Sequence, residues 1–316
     1  MSESKAREWL LSHHNNEYRK NQNHFRLLTG KAKTIAIASG KGGVGKTSVS
    51  IKVAKILSEQ GYRVLLVDCD YNLSNTAVKL GLPLDDKFNS FVNSALDFES
   101  TIYRDGQFHL LKGCNGNNDL FDNDDMVNRI LFQVVVQQEN NFDFIIFDCP
   151  AGLVKENLAI CAYCDYRMVV LAPDRSSITD AYSLVKILHS RFGVNDFHLV
   201  LNKISNQPQY QRLVKAFSDT VNQFLNCRVR VLGGVKYFGE QVDRFDQELL
   251  KTAGTELHDD FLKIIKSFTD EFLDVLSSEE ASTRRPLSGM GIGKATLTHA
   301  PFRGSNSGHE VRTNHI

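Results

Sequence analysis

The chain has 316 residues, of which 42% are hydrophobic and 23% charged, enough for one α/β domain with terminal extensions. Lysine plus arginine and aspartate plus glutamate both number 37, so the net charge gives no sign of nucleic-acid binding or of bulk attraction to lipid. We see no signal peptide and no apolar run of the roughly 18 residues that a spanning helix needs. The six scattered cysteines do not form a disulfide pattern, so we expect a cytoplasmic protein.

The first segment, residues 1–32, is polar and rich in asparagine, histidine, arginine and lysine. Terminal segments of this composition dock loosely on the domain that follows them. We therefore predict an N-terminal arm that the core does not need.

A glycine-rich loop follows the short apolar run Thr34–Ala38 and precedes a predicted helix over Ser48–Gln60. The loop has the pattern G-x-x-x-x-G-K-T from Gly40 to Thr47, in the strand–loop–helix context of a phosphate-binding loop. Glycines let backbone N–H groups approach phosphate oxygens, and the helix N-terminus adds partial positive charge. Lys46 would reach the β- and γ-phosphates, and Thr47 would bind Mg²⁺. The alternative is a glycine-rich turn without a ligand.

Strands and helices alternate along the rest of the chain, which predicts a doubly wound, mostly parallel α/β sheet with ligands at the carboxyl ends of its strands. The predicted strands are Thr34–Ala38, Val64–Asp68, His109–Leu111, Phe144–Asp148, Arg167–Ala172, His198–Asn202 and Val229–Val235. The further predicted helices are Asp124–Gln138, Ile178–Phe192 and Tyr210–Leu225. Ser176, Ser177 or Thr179 is predicted to cap the helix Ile178–Phe192.

Carboxylates follow two of the buried strands. Asp70 comes just after Val64–Asp68, and Asp148 ends the apolar run Phe142–Phe147. Carboxylates at strand ends beside a phosphate loop can hold Mg²⁺ and orient an attacking water. Capping of the next helix by Asp70 or Asn72 is the alternative.

Lys41 follows the first glycine of the loop directly, and Lys41–Thr47 resembles the deviant Walker A loop of the MinD/ParA family of ATPases. The resemblance implies a P-loop NTPase that binds ATP and Mg²⁺. It also implies a homodimer in which Lys41 of each subunit reaches the nucleotide of the other. The nucleotide-binding residues implied in this loop are Gly40, Lys41, Gly42, Gly43, Val44, Gly45, Lys46, Thr47 and Ser48.

Other strand ends are similar to the switches of that family. By this match Asp70 positions the attacking water and Asn75 contacts the partner subunit or the switch, while the Gly152 N–H senses the γ-phosphate. Asn202 would read the adenine edge, with capping of its strand as the alternative. Lys236 replaces the proline of the family's base loop. The catalytic residues implied are Lys41, Lys46, Asp70 and Asp148, and the metal ligands are Thr47, Asp70 and Asp148.

The string Ser177–Lys186 resembles the FlhG (FleN) branch of the family, which regulates flagellar number and placement. In the arm, Asn21-Gln22 and Phe25-Arg26 partly match the motif by which that branch stimulates the GTPase FlhF. The resemblance therefore implies a flagellar GTPase or a transcriptional regulator as a partner.

An amphipathic helix is predicted over Leu257–Leu276. MinD relatives carry a membrane-targeting helix near the C-terminus, so the resemblance implies transient association with the inner face of the cell membrane. The polar face of this helix is acidic, whereas membrane-surface helices are usually basic, and we predict that it packs on the core. Residues 277–316 lack apolar periodicity and are predicted to be a disordered tail, which leaves 33–276 as the ATPase domain.

Cys161 and Cys164 form a Cys-x-x-Cys pair. Such a pair can bind a metal, but no second pair follows it, and burial as small apolar side chains is the preferred interpretation.

We expect an ATP-dependent dimerisation switch that hydrolyses ATP slowly and regulates flagellar number or placement. The alternatives are a MinD/ParA-like positioning ATPase with another cargo and a nucleotide-gated scaffold that does not hydrolyse ATP.

Overall fold

The computed structural model describes residues 32–70, 75–92, 96–113, 134, 137–239 and 242–282, without the side chains of 92, 156, 242–244 and 271–282. The predicted arm (except Ala32), most of the predicted helix Asp124–Gln138 and nearly all of the predicted tail lie outside these residues, so they stay predictions. Asn72 lies outside them too.

One eight-stranded sheet forms the centre of the fold, with strands in the order β3-β4-β2-β5-β1-β6-β7-β8. The strands are β1 Lys33–Ala38, β2 Val64–Asp68, β3 Tyr103–Asp105, β4 Phe108–Leu111, β5 Phe144–Asp148, β6 Tyr166–Leu171, β7 Asp196–Ile204 and β8 Arg228–Lys236. All pairs are parallel except β3 with β4, so the predicted doubly wound, mostly parallel sheet is confirmed. The sequence did not reveal β3, a three-residue edge strand with no buried residue.

Helices cover both faces of the sheet, and each face carries its own buried apolar cluster. The helices are α1 Lys46–Glu59, α2 Asn75–Lys79, α3 Lys87–Val92, α4 Phe98–Thr101, α5 Lys155–Tyr163, α6 Arg175–Phe192, α7 Gln207–Phe224, α8 Val242–Leu250 and α9 Glu256–Ser282. The central strands β1, β2 and β5 are buried along their whole length, as strands covered on both faces must be.

Strand β1 lies at the point where the order of the strands reverses. It pairs with β5 on one side and with β6 on the other, while the chain runs from β1 to β2 and later from β6 outwards. Ligands of open α/β sheets bind in the crevice at such a point. The fold therefore places the glycine-rich loop, which follows β1, at the expected binding position.

The last helix, α9, packs on the core as predicted, because Leu257, Phe261, Ile264 and Phe268 on its apolar face are buried. It continues to Ser282, so the predicted end at Leu276 is wrong and residues 277–282 are helical rather than part of a disordered tail. None of the helices in the described residues has the length and apolar character to cross a membrane.

Candidate nucleotide-binding site

A cavity of about 600 Å³ lies at the carboxyl edge of the sheet, a size typical of small-molecule sites. The predicted residues that line it are Gly42, Gly43, Gly45, Lys46, Thr47, Ser48, Asp70, Asn75 and Asn202. Further lining residues include Lys79, Lys203, Lys236, Tyr237, Phe238 and Phe245. Lysines are frequent among the lining residues, with Lys46, Lys79, Lys203 and Lys236, which favours an anionic ligand. The predicted site residues that do not line the cavity are Gly40, Lys41, Val44, Asp148 and Gly152.

The loop from Gly40 to Gly45 has the geometry of an anion-binding loop. Gly43 and Gly45 have φ angles of 74° and 94°, in the left-handed region that favours glycine. Gly45 is the N-cap of α1, which makes no side-chain capping bond and so leaves N–H groups at this end for a ligand. Lys46, the first residue of that helix, is only 9% exposed and faces the cavity.

Gly40 is in contact with helix α6 and does not line the cavity. A Cβ atom at Gly40 would overlap the main-chain carbonyl of Asp180 and lie 2.7 Å from its Cβ. The structure shows that glycine is needed here for close packing of the loop on α6. The nucleotide contact predicted for Gly40 stays a prediction.

Asp148 lies at the end of β5, buried beneath the loop. The Ser50 hydroxyl donates a 2.8 Å hydrogen bond to its Oδ1 atom. Burial raises the pKa of Asp148 to about 6, against the lowering effects of hydrogen bonds from Thr47 and Ser50 and of the Lys46 charge. The sequence analysis missed Ser50, although it is one helical turn after Lys46 and so faces the sheet.

The oxygen atoms brought together here suit Mg²⁺, since this ion prefers carboxylate and hydroxyl oxygens. Thr47 and Asp148 are in hydrogen-bond contact, and the Asp70 charge acts on Asp148. Within the described ranges no group of three or more His, Cys, Asp or Glu side chains has the geometry to hold a metal. Mg²⁺ at this site would therefore take further ligands from phosphate and water.

Replacing the buried carboxylate should stabilise the protein in the absence of ligand. We expect Asp148→Asn to raise the free energy of unfolding by on the order of 1–3 kcal/mol at pH 7.5 in EDTA, because the amide has no charge to desolvate. Because the pKa of Asp148 is higher in the folded state than in the unfolded state, the wild-type protein loses stability as the pH rises from about 4 to about 6. The stability difference between Asp148→Asn and wild type should therefore shrink toward pH 4. Urea unfolding at both pH values measures this. An Asp148→Asn variant that is less stable than wild type at pH 7.5 would contradict it.

Lys41 lies beside the cavity, on the surface of the loop, and contacts its own chain. Its Nζ atom lies 2.9 Å from Oδ1 of Asp174 and 2.7 Å from Oγ of Ser176, with the Lys41 and Asp174 side chains 41% and 46% exposed. Hydrogen bonds from Ser176 and Lys41 lower the pKa of Asp174 to about 2. Asp174 also caps α6 by accepting from Ser177 N, so the prediction of Ser176, Ser177 or Thr179 as the cap was wrong.

Gly152 lies in the segment after β5, with a φ angle of 92°. Its N–H, predicted to sense the γ-phosphate, donates to the Ser39 carbonyl at 3.1 Å. Its carbonyl accepts a 2.6 Å bond from Nδ2 of the buried Asn157. A phosphate contact from the Gly152 N–H would require that the bond to Ser39 breaks.

Asn202 contacts the loop in this structure. Its Nδ2 donates to the Val44 carbonyl at 2.8 Å, and its Oδ1 accepts from Lys203 N at 2.9 Å. Its predicted role with adenine stays a prediction. Tyr237 and Phe238, which follow Lys236 at the end of β8, give aromatic rings to the same cavity. Aromatic faces of this kind can stack on a base.

The Cys-x-x-Cys pair is buried in the apolar cluster on one face of the sheet. Cys161 and Cys164 are both fully buried, together with Cys69 and Cys149. The predicted burial of the pair is confirmed.

Comparisons with known proteins agree with the fold and the loop. A family model described as an AAA domain matches residues 32–191. The antiactivator FleN of Pseudomonas aeruginosa is 26% identical over 204 residues, which cover 64% of this chain and 73% of FleN. The flagellum site-determining protein YlxH of Helicobacter pylori is 28% identical over 228 residues, which cover 69% of this chain and 74% of YlxH.

Among solved structures, the septum site-determining protein MinD of Pyrococcus horikoshii, complexed with Mg-ADP, has a TM-score of 0.59 to this chain. The match covers 74% of this chain and 94% of that chain at 22% identity, so it shows the fold alone. The family match, the flagellar relatives and the shared sheet all agree with the loop sequence. The chain belongs to the AAA domain family and is a P-loop ATPase of the MinD/ParA type, in its FlhG (FleN) branch.

Proposed function

We propose that this protein binds ATP with Mg²⁺, hydrolyses it slowly, and forms a homodimer while ATP is bound. The observation that carries the proposal is that the two lysines of the loop differ in burial and in their position relative to the cavity. Lys46 is almost buried and faces the cavity, whereas Lys41 lies outside its wall on the surface of the loop. We infer that Lys46 contacts a nucleotide of its own chain and that Lys41 contacts one held by another copy.

The residues of this chain would divide the chemistry among them. Backbone N–H groups of the loop and Lys46 bind the phosphates, Thr47 and Asp148 hold Mg²⁺, and Asp70 orients the attacking water. The bound Mg²⁺ neutralises charge on the phosphate oxygens. Asn75, which lines the same cavity as Asp70, would contact the partner subunit or the switch.

ATP turnover tests the enzymatic part directly. We expect phosphate release from ATP by the wild-type chain in Mg²⁺ and none above background in EDTA. Lys46→Ala should abolish turnover, because it removes the cation that faces the cavity. Wild-type protein that binds ATP but releases no phosphate would favour a scaffold and contradict the proposal.

Dimerisation should depend on Lys41. Its contact with Asp174 is an exposed pair, and pairs of this type are worth only about 0–1 kcal/mol, so its release from its own chain is easy. We expect Lys41→Ala to weaken ATP-dependent dimerisation by roughly tenfold or more while the monomer still binds ATP, since a charge-assisted bond is worth about 1.5–3 kcal/mol. Analytical ultracentrifugation with ATP measures the dimer. The matched control is Lys215→Ala, because Lys215 is an exposed lysine on α7. An unchanged dimer in Lys41→Ala would exclude the cross-subunit role.

The flagellar role rests on the relatives, one of which is an antiactivator and another a flagellum site-determining protein. We propose that the ATP-bound dimer regulates flagellar number or placement through a flagellar GTPase or a transcriptional regulator, and that it associates transiently with the inner face of the cell membrane. Deleting the gene should change the number or the placement of flagella on the cell. A deletion that changes neither would favour another cargo.

A further inference from the structure

Lys203 adopts a backbone conformation that is unusual for its residue type. Its φ angle is 60°, and among the residues the structure describes it is the one non-glycine with positive φ. Left-handed backbone costs conformational free energy for a residue with a Cβ atom, and such strain is concentrated at functional sites. The position therefore needs an explanation beyond the fold.

The conformation arises at a bulge in β7. Leu201 pairs with Gly234 and Ile204 with Lys236, so two residues of β7, Asn202 and Lys203, oppose a single residue of β8. In a regular strand successive side chains point to opposite faces. A bulge redirects side chains, and this bulge allows the side chains of Asn202 and Lys203 to reach the same glycine-rich loop.

Both side chains donate hydrogen bonds to consecutive carbonyls of the phosphate-binding loop. Lys203 Nζ donates to the Gly43 carbonyl at 2.8 Å, and Asn202 Nδ2 donates to the Val44 carbonyl at the same distance. No ion pair joins Lys203 to a carboxylate within the described part of the chain. The loop carbonyl is therefore a principal partner of this ammonium group.

These two bonds determine where the next N–H groups point. A trans peptide unit is planar, with its N–H opposite to its C=O. A fixed Gly43 carbonyl therefore directs the Val44 N–H away from Lys203, and a fixed Val44 carbonyl directs the Gly45 N–H away from Asn202. These N–H groups belong to the loop expected to surround the phosphates.

We propose that Lys203 is a positioning residue, which fixes the loop carbonyl at Gly43 so that the following N–H groups are oriented for the β-phosphate before the nucleotide arrives. The proposal rests on the proposed binding of ATP. It assigns a function to the strained backbone at Lys203, because Lys203 lies at the bulge and its ammonium group contacts the loop.

The test is nucleotide affinity in Lys203→Met, which removes the charge and keeps a long side chain. We expect ADP and ATP to bind roughly 10-fold or more weakly, as the loss of a charged hydrogen bond implies, with the melting temperature of the ligand-free protein unchanged. The loss should persist in about 0.5 M NaCl, where long-range attraction between exposed charges is screened. Lys215→Met, on the exposed face of α7, is the matched control. Lys203→Gly relieves the strain and should lose the same affinity.

A second measurement separates positioning from direct contact with the phosphate. NMR relaxation of the Val44 and Gly45 amides in ligand-free protein should show increased motion in Lys203→Met. Unchanged affinity, a loss that vanishes at high salt, or a loss without altered amide motion would each overturn the proposal. A wild-type chain that does not bind ATP would instead overturn the proposed function, so the two failures are distinguishable.

Discussion

Asp70→Ala should slow ATP hydrolysis by roughly 10²–10⁴-fold, the usual range for loss of a group that handles a proton or positions water. Asp70 lines the cavity at the end of β2, next to the strand that carries Asp148. The phosphate contacts we propose come from Lys46 and the loop, so affinity for ATP should change by no more than a few-fold. Phosphate release at saturating ATP measures the rate, and a fluorescent ATP analogue measures binding.

Asp219→Ala is the control for Asp70→Ala, because Asp219 is an exposed carboxylate on α7, 64% accessible, that lies outside the cavity. It should hydrolyse ATP at the wild-type rate. Equal rates for Asp70→Ala and wild type would show that Asp70 does not position the attacking water.

Gly40→Ala should destabilise the ligand-free protein by about 2–4 kcal/mol, as overpacking at a rigid contact does. The atoms in the way are the Asp180 main-chain carbonyl of α6, which cannot swing aside like a flexible side chain. For a domain of this size the melting temperature should fall by roughly 5–12 °C. Thermal unfolding without nucleotide is the measurement.

Gly42→Ala is the matched control in the same loop, because a Cβ atom there would meet only the Ala151 Cβ at an ordinary 3.9 Å. Its melting temperature should stay close to that of wild type. Equal melting temperatures for the Gly40 and Gly42 variants would show that the contact with α6 is not rigid.

The sheet could be predicted from the sequence because its central strands are short apolar runs with polar ends. Strands β2 and β5 were predicted with correct bounds, and the carboxylates at their last residues lie side by side, since Asp68 pairs with Asp148 in the sheet. The position of the loop at the reversal of strand order follows from the same alternation of strands and helices.

The contacts that hold the loop were not predictable, because they join residues far apart in the chain. Asp174 caps α6 and also binds Lys41, and no local pattern indicates the second contact. In the sequence Lys203 is an ordinary lysine at a strand end, because a bulge is a feature of the pairing of two strands and cannot be recognised from the sequence of one. The contact of Gly40 with α6 was not predictable either, because the motif around Gly40 indicates a phosphate loop and says nothing about the packing of α6.

Light scattering after size exclusion measures whether ATP joins two copies of this chain into a dimer. Asp70→Ala protein with Mg²⁺ would be measured without nucleotide, with ADP and with ATP, because slowed hydrolysis should preserve the ATP-bound state. We expect a monomer in the first two conditions and a dimer with ATP. A monomer in all three, from protein shown to bind ATP, would contradict it.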